Sequence, residues 1–80
     1  MKVEPVKAFS GEEIKAIRKQ ARMTQAMLAS VFGVSKKAVE AWECGQNMPS
    51  GPSSRLLSMI ETDPSLPERY GILTARTTEV

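Results

Sequence analysis

The feature that most constrains this chain is a three-residue joint, Gly33-Val34-Ser35, between two short segments with helical spacing of apolar residues. Thr24 is a good N-cap for the first helix, residues 25–32, and Ser35 for the second, residues 36–44. Glycine at position 33 fits the left-handed conformation that ends many helices. Because the joint is so short, the two helices must lie in contact with each other.

A further helix is predicted before this pair. Ser10-Gly11-Glu12-Glu13 has the form of a capping box, and Phe9 and Ile14 have the spacing of a hydrophobic staple. The helix should run to about residue 21 and bury one stripe of apolar side chains, which are Ile14, Ile17 and Ala21. Arg22-Met23 then closes the turn before Thr24.

A fourth helix is predicted after a loop over residues 46–50. Pro52 fits its first turn, with Gly51 or Ser50 as the cap, and Asp63-Pro64 ends it. Its apolar residues are Leu56, Leu57, Met59 and Ile60. Residues 65–72 fit one further helical turn, and residues 74–80 are expected to fray. The sequence thus predicts an all-α, compact domain of four to five helices.

Composition excludes several classes of function. Eighty residues make one domain, and the longest apolar run is far shorter than the roughly 18 residues that span a membrane. One cysteine and no histidine exclude an internal disulfide, a Cys/His zinc site and a histidine base. We therefore expect no cofactor, no metal and no enzymatic activity. The absence of a signal-like start predicts a cytoplasmic location.

Charge is distributed unevenly, although the net charge is only +2. Residues 14–37 carry no acid and six cations, which are Lys15, Arg18, Lys19, Arg22, Lys36 and Lys37. Residues 61–80 carry four acids against two arginines. This pattern fits either an anionic partner on one side of the molecule or a solvated face with uneven charge.

The helix over residues 36–44 has two distinct faces. Helical spacing places Ala38, Val39 and Trp42 on the inward face. The outward face carries Lys36, Lys37, Glu40, Ala41 and Cys44. A short helix with such a face, braced by a preceding helix through a glycine turn, is the layout of a helix-turn-helix that enters the DNA major groove.

Residues 23–49, MTQAMLASVFGVSKKAVEAWECGQNMP, resemble the helix-turn-helix of the Cro and lambda-repressor type, also called the XRE type. The matching positions are Thr24-Gln25, Leu28-Ala29, Gly33-Val34-Ser35, Val39, Trp42-Glu43, Gly45 and Pro49. Residues 49–66 are similar to the end of the DNA-binding domain in HigA-type and MqsA-type antitoxins. The resemblance implies an N-terminal arm over 1–9, the helix-turn-helix domain over 10–62, and a C-terminal extension over 63–80 that contributes a dimer contact.

The same resemblance implies roles for individual residues. The expected base-contacting residues are Lys36, Lys37, Glu40 and Ala41. The expected phosphate-contacting residues are Thr24, Gln25, Ser35, Gln46 and Asn47. Arg18 and Glu43 correspond to a structural ion pair in many relatives. Arg22 departs from the family pattern, in which glycine or asparagine is frequent at this position, and it would be strained if its φ were positive.

For several of these residues, a structural or surface role explains the residue type as well as a DNA contact does. Lys36 and Lys37 fit a solvated surface pair as well as a DNA contact. Glu40 is placed either to accept from a cytosine amino group or to pair with Lys36. Ala41 is either a contact for a thymine methyl group or a small spacer. Ordinary capping and turn chemistry accounts for Thr24, Ser35 and Asn47.

The function implied is a sequence-specific regulator of double-stranded DNA, acting as a repressor and a homodimer on an inverted repeat. The dimer surface is expected in the C-terminal region, and its candidates are Leu57, Leu66, Tyr70, Ile72 and Leu73. The alternative is a HigA-like antitoxin that occludes a basic, RNA-cleaving toxin and represses its own operon. In that case the acidic C-terminal segment is a candidate toxin contact.

Overall fold

The computed structural model describes residues 1–73, and within that range it contains five helices and no strand. The helices are α1 (Gly11–Gln20), α2 (Gln25–Phe32), α3 (Lys36–Glu43), α4 (Gly51–Thr62) and α5 (Leu66–Arg69). The all-α class and the order of the helices are as the sequence predicts. The expected fraying of residues 74–80 lies outside the described residues.

Hydroxyl side chains cap the first four helices. Ser10 accepts from the Glu13 N–H and the Glu13 carboxylate accepts from the Ser10 N–H, so the predicted capping box is present. Thr24, Ser35 and Ser50 each accept from a backbone N–H in the first turn of the following helix. Ser50, rather than Gly51, is therefore the cap of α4. Each cap satisfies a donor that the helix leaves without a partner.

Two residues in left-handed conformation set the short turns around α2. Gly33 has a φ of +70° and ends α2, as the sequence predicts. Arg22 has a φ of +60° in the turn between α1 and α2, so an L side chain occupies a conformation that favours glycine. Arg22 therefore adopts this turn at a cost in backbone strain, as expected for a positive φ at this position.

One buried cluster holds α1 to α4 and the segment before α1 together. Phe9 and Ile14, the predicted staple, are both almost fully buried. Ile17, Leu28, Val39, Trp42 and Ile60 belong to the same cluster, and Ala21 packs at its edge. The chain before α1 also lies on α4. Lys7 pairs with Glu61 at 3.3 Å, and the Arg55 guanidinium donates to the Glu4 carbonyl at 2.8 Å.

The predicted dimer contact is wrong for two of its residues, because their side chains lie in the interior of the domain. Leu57 is 0% exposed and Leu66 is 6% exposed, so neither side chain can meet a second molecule without unfolding. Tyr70 and Ile72 lie on the surface, 70% and 49% exposed respectively, and Leu73 is half-buried. Among residues 1–73, no helix is both long and apolar enough to cross a membrane.

The start of α1 approaches α3 closely at Gly11, the first residue of α1. A Cβ at this position would overlap the carbonyl oxygen of Glu43 and would lie 2.9 Å from that of Trp42. The start of α1 therefore lies directly against the end of α3. The capping-box pattern accounts for Ser10 and Glu13 but gives no reason for a glycine at this position.

Replacement of Gly11 by alanine should destabilise the protein by about 1–3 kcal/mol, because the new methyl group meets backbone atoms that cannot rotate away. Urea unfolding monitored by circular dichroism would measure the loss. Gly51→Ala is the matched control, since Gly51 is also the first residue of a helix but a Cβ there meets nothing within 4 Å. Equal effects of the two substitutions would contradict this account of the α1–α3 contact.

Candidate nucleic-acid interface

The orientation of α3 is set by its buried edge. Val39 is fully buried and Trp42 nearly so, and the Trp42 ring meets Phe32 of α2 edge-on, with 5.9 Å between ring centroids. Since these side chains face the interior, the opposite face of α3 is directed outward. The structure thus exposes Lys36, Lys37 and Glu40 on one side of the molecule.

A buried ion pair fixes the C-terminal end of α3. The Arg18 guanidinium of α1 donates from Nε to Glu43 Oε2 at 2.6 Å and from Nη2 to Oε1 at 3.1 Å. The two side chains are only 12% and 4% exposed. Arg18 Nη1 also donates to the Met23 carbonyl oxygen at 3.0 Å, in the turn before α2. The structure therefore brings together the two residues that the family pattern pairs.

Gln25 joins the same network. Its side-chain amide donates to Glu43 Oε1 at 3.1 Å, so α1, α2 and α3 all meet at one carboxylate. Burial opposes ionisation of that carboxylate, but hydrogen bonds from Arg18 and Gln25 and the charges of Arg18 and Lys15 outweigh it. Together they lower the pKa of Glu43 below its ordinary value of 4.5. Glu43 is thus an anion at neutral pH.

The outward face of α3 begins with the two predicted lysines. Lys36 and Lys37 are exposed in its first turn, and Lys36 Nζ lies 3.9 Å from the Glu40 carboxylate one turn later. Both partners of this pair are about half exposed, so it is weak and easily opened. Ala41, whose side chain is a single methyl group, is half-buried on the same face.

The predicted phosphate-contacting residues surround this face. The Thr24 and Ser35 hydroxyls are engaged as caps at the starts of α2 and α3. After α3, the backbone N–H groups of Gln46 and Asn47 both donate to the Ala41 carbonyl, at 2.9 and 3.3 Å. These bonds fix the loop and leave the two side chains exposed.

Sequence reasoning missed a polar hollow beside α3. Lys15, Arg18 and Lys19 of α1 line one wall, Gln25 of α2 lies at the end, and Glu40, Glu43 and Cys44 of α3 line the other wall. The helical spacing of Lys15 and Lys19 was visible in the sequence, but their position beside α3 depends on how α1 packs. Within residues 1–73, no cluster of acids or Cys suited to a metal ion occurs.

The acidic segment after residue 60 is largely neutralised. Glu61 pairs with Lys7, and Asp63 forms an ion pair with Arg69. Glu68 is the remaining acid in the described part of this segment, since Glu79 and Arg76 lie beyond residue 73. The described residues therefore do not present the acidic surface that the composition alone suggests.

Comparison with known proteins agrees with this geometry. A helix-turn-helix family model matches residues 14–60, which cover all of α1, α2 and α3 except the first turn of α1, together with most of α4. The chain belongs to the XRE-type helix-turn-helix family of DNA-binding proteins. It is also similar to Antitoxin HigA-2 of Vibrio cholerae, with 33% identity over 56 residues, which are 70% of this chain and 54% of the relative. The chain thus spans about half the length of the curated relative it matches.

Substitution of Glu43 by glutamine should cost about 3–5 kcal/mol of stability at pH 7, because it leaves the buried Arg18 guanidinium without its anion. The pKa of Glu43 is lower in the folded state, so its stabilising contribution is fully present above about pH 4.5 and is lost as the pH falls through the folded value. The difference in the free energy of unfolding between wild type and variant should therefore become smaller in acid.

Urea unfolding at pH 7 and in steps below pH 4.5 would measure this gap. Glu61→Gln is the control, since Glu61 is 42% exposed in its pair with Lys7 and its loss should change stability by less than about 1 kcal/mol. If the stability difference between wild type and Glu43→Gln stayed constant down to pH 2, the role of the ionised carboxylate would be contradicted.

Proposed function

We propose that this protein is a sequence-specific regulator of transcription that binds double-stranded DNA, with α3 as its recognition helix. The observation that carries the proposal is the exposed start of α3. Lys36 and Lys37 are exposed there beside the small side chain of Ala41, and the Arg18–Glu43 ion pair holds α3 against α1. The major groove admits one such helix, and lysine can donate to guanine O6 and N7.

Base contacts are assigned to the outward face of α3. Lys36 and Lys37 bind base edges, and Ala41 leaves room for a thymine methyl group. The Lys36–Glu40 pair orients Lys36 in the free protein, and it opens on DNA so that Glu40 accepts from a cytosine amino group. Because the pair is weak, opening it takes little free energy.

Phosphate contacts are assigned to the residues that flank α3. The free N–H groups at the starts of α2 and α3 favour a phosphate, with the Thr24 and Ser35 hydroxyls and the Gln25 amide beside them. Gln46 and Asn47 approach the backbone from the loop after α3. Such contacts supply affinity and its dependence on salt, while α3 supplies specificity.

A dimer follows from the size of the interface. A single module buries only about 600–1,000 Å² on DNA and binds weakly, so we propose two copies on an inverted repeat whose half-sites lie about one helical turn apart. We assign the dimer contact to the exposed side chains of Tyr70 and Ile72, next to the half-buried Leu73. Leu57 and Leu66 are excluded from it because they are buried. The result of binding is repression, and we propose a cytoplasmic location and no enzymatic role.

Similarity to Antitoxin HigA-2 favours a second, compatible role. In that role the chain binds a basic, RNA-cleaving toxin and represses the operon that encodes both proteins. A reading frame for a small basic protein beside this one, whose product copurifies with it, would support the antitoxin role. A neighbourhood with no such frame would leave DNA regulation as the whole function.

Selection of bound duplexes from a random pool should enrich a palindrome if the protein reads DNA as a dimer. Lys36→Ala and Lys37→Ala should each cost about 1–3 kcal/mol in affinity for that palindrome and relax selection at one base pair per half-site. Lys7→Ala is the control, since Lys7 pairs with Glu61 on α4 and its loss should leave selection unchanged. No enrichment at low salt would refute the proposed function.

The dimer contact has its own test. Tyr70→Ser with Ile72→Ser should halve the mass of the free protein measured by light scattering and weaken binding to the full palindrome, but not to one half-site. Met59→Ser, which also removes an exposed apolar side chain, should change neither quantity. A mass of one chain for the wild type, with and without DNA, would exclude the dimer.

A further inference from the structure

The hollow between α1 and α3 is the strongest unassigned feature of the described chain. It is open to solvent, measures about 360 Å³, and adjoins the face that carries Lys36 and Glu40. Lys15 and Lys19 stand one helical turn apart on its α1 wall, so both ammonium groups can reach the same space. Neither lysine belongs to the recognition helix or to the flanking loops.

Charge in the hollow favours an anion. The two carboxylates that line it are each matched by a partner, since Glu43 is held by Arg18, and Glu40 lies 3.9 Å from Lys36 in the free protein and accepts from a cytosine amino group in the proposed complex. No ion pair involving Lys15 or Lys19 occurs among residues 1–73. Two lysines without a paired acid thus remain at one side of the site, together with the Gln25 amide at its end.

We propose that Lys15 and Lys19 bind a backbone phosphate of double-stranded DNA in this hollow, on the strand that the start of α2 approaches. The inference rests on the proposed function, because it requires α3 to lie in the major groove. Gln25 lies both at the start of α2, where a phosphate contact is proposed, and at the end of the hollow, so a strand bound there comes next to Lys15 and Lys19. The phosphate footprint therefore extends from α2 onto α1, which the family-based assignment does not include.

The other side of α1 shows why this placement is selective. Glu13 and Gln20 face α4 and line a groove there with Ile60 and Glu61. Lys7, which pairs with Glu61, lies on that side as well. Lys15 and Lys19 thus face α3, while Glu13 and Glu61 lie on the opposite side of α1, and this arrangement favours one orientation of the domain on a polyanion before any base is read.

Binding to a fixed duplex across a salt series tests the proposal with Lys15→Gln, Lys19→Gln and the double variant. Each neutralised phosphate contributes about 0.9 to the slope of log affinity against log salt. Between about 50 and about 200 mM salt, the wild type should therefore weaken about 3.5-fold more than the double variant, with the single variants in between. The selected base sequence should not change, because these contacts carry no sequence information.

Lys7→Gln provides the matched control, because it removes one lysine from the α4 side and should leave the slope unchanged. An unchanged slope for the double variant, or an equal decrease for Lys7→Gln, would overturn the phosphate site while the wild type still binds DNA. Failure of the wild type to bind any duplex would instead refute the proposed function. Thermal unfolding checks that the variants fold. Lys19→Gln is the most conservative single substitution, because Lys19 is exposed.

Discussion

The structure depends on one buried carboxylate. Glu43, at the end of α3, accepts hydrogen bonds from Arg18 of α1 and Gln25 of α2, and Arg18 also holds the Met23 carbonyl in the turn between those helices. A charge taken out of water is costly unless it is matched, so the three helices are constrained to a geometry that satisfies it. The apolar cluster supplies the driving force for folding, and this network selects one arrangement within it.

That constraint matters because α3, the proposed recognition helix, cannot hold its shape alone. Eight residues are too few for a stable isolated helix, so α3 depends on its cap, on Trp42 against Phe32 and on the contact of its last turn with Gly11. Its buried edge fixes which side chains face outward. A small outward face leaves few side chains for the proposed base contacts, which suits the proposed use of the module in pairs on a repeated site.

Charged side chains are divided between the two sides of α1. Lys15 and Lys19 face α3, while Glu13 and Glu61 lie on the side of α4. Ion pairs with Lys7 and Arg69 offset two of the three acids in the described part of the C-terminal segment, which are Glu61 and Asp63. Arg22, strained at a positive φ, does not belong to this face, since it lies beside Ser65 and Glu68.

The sequence by itself determined the helices, the caps of α1, α2 and α3 and the turn at Gly33, because these depend on interactions within four or five residues along the chain. It also placed Lys36 and Lys37 on one face and, through family resemblance, paired Arg18 with Glu43. Only the tertiary structure decided that Leu57 and Leu66 are interior, that Gln25 binds Glu43, and that Lys15 and Lys19 border α3. The close approach at Gly11 belongs to the same group. Each of these joins residues distant in sequence, whose distances depend on how helices pack, and helical periodicity alone does not specify that packing.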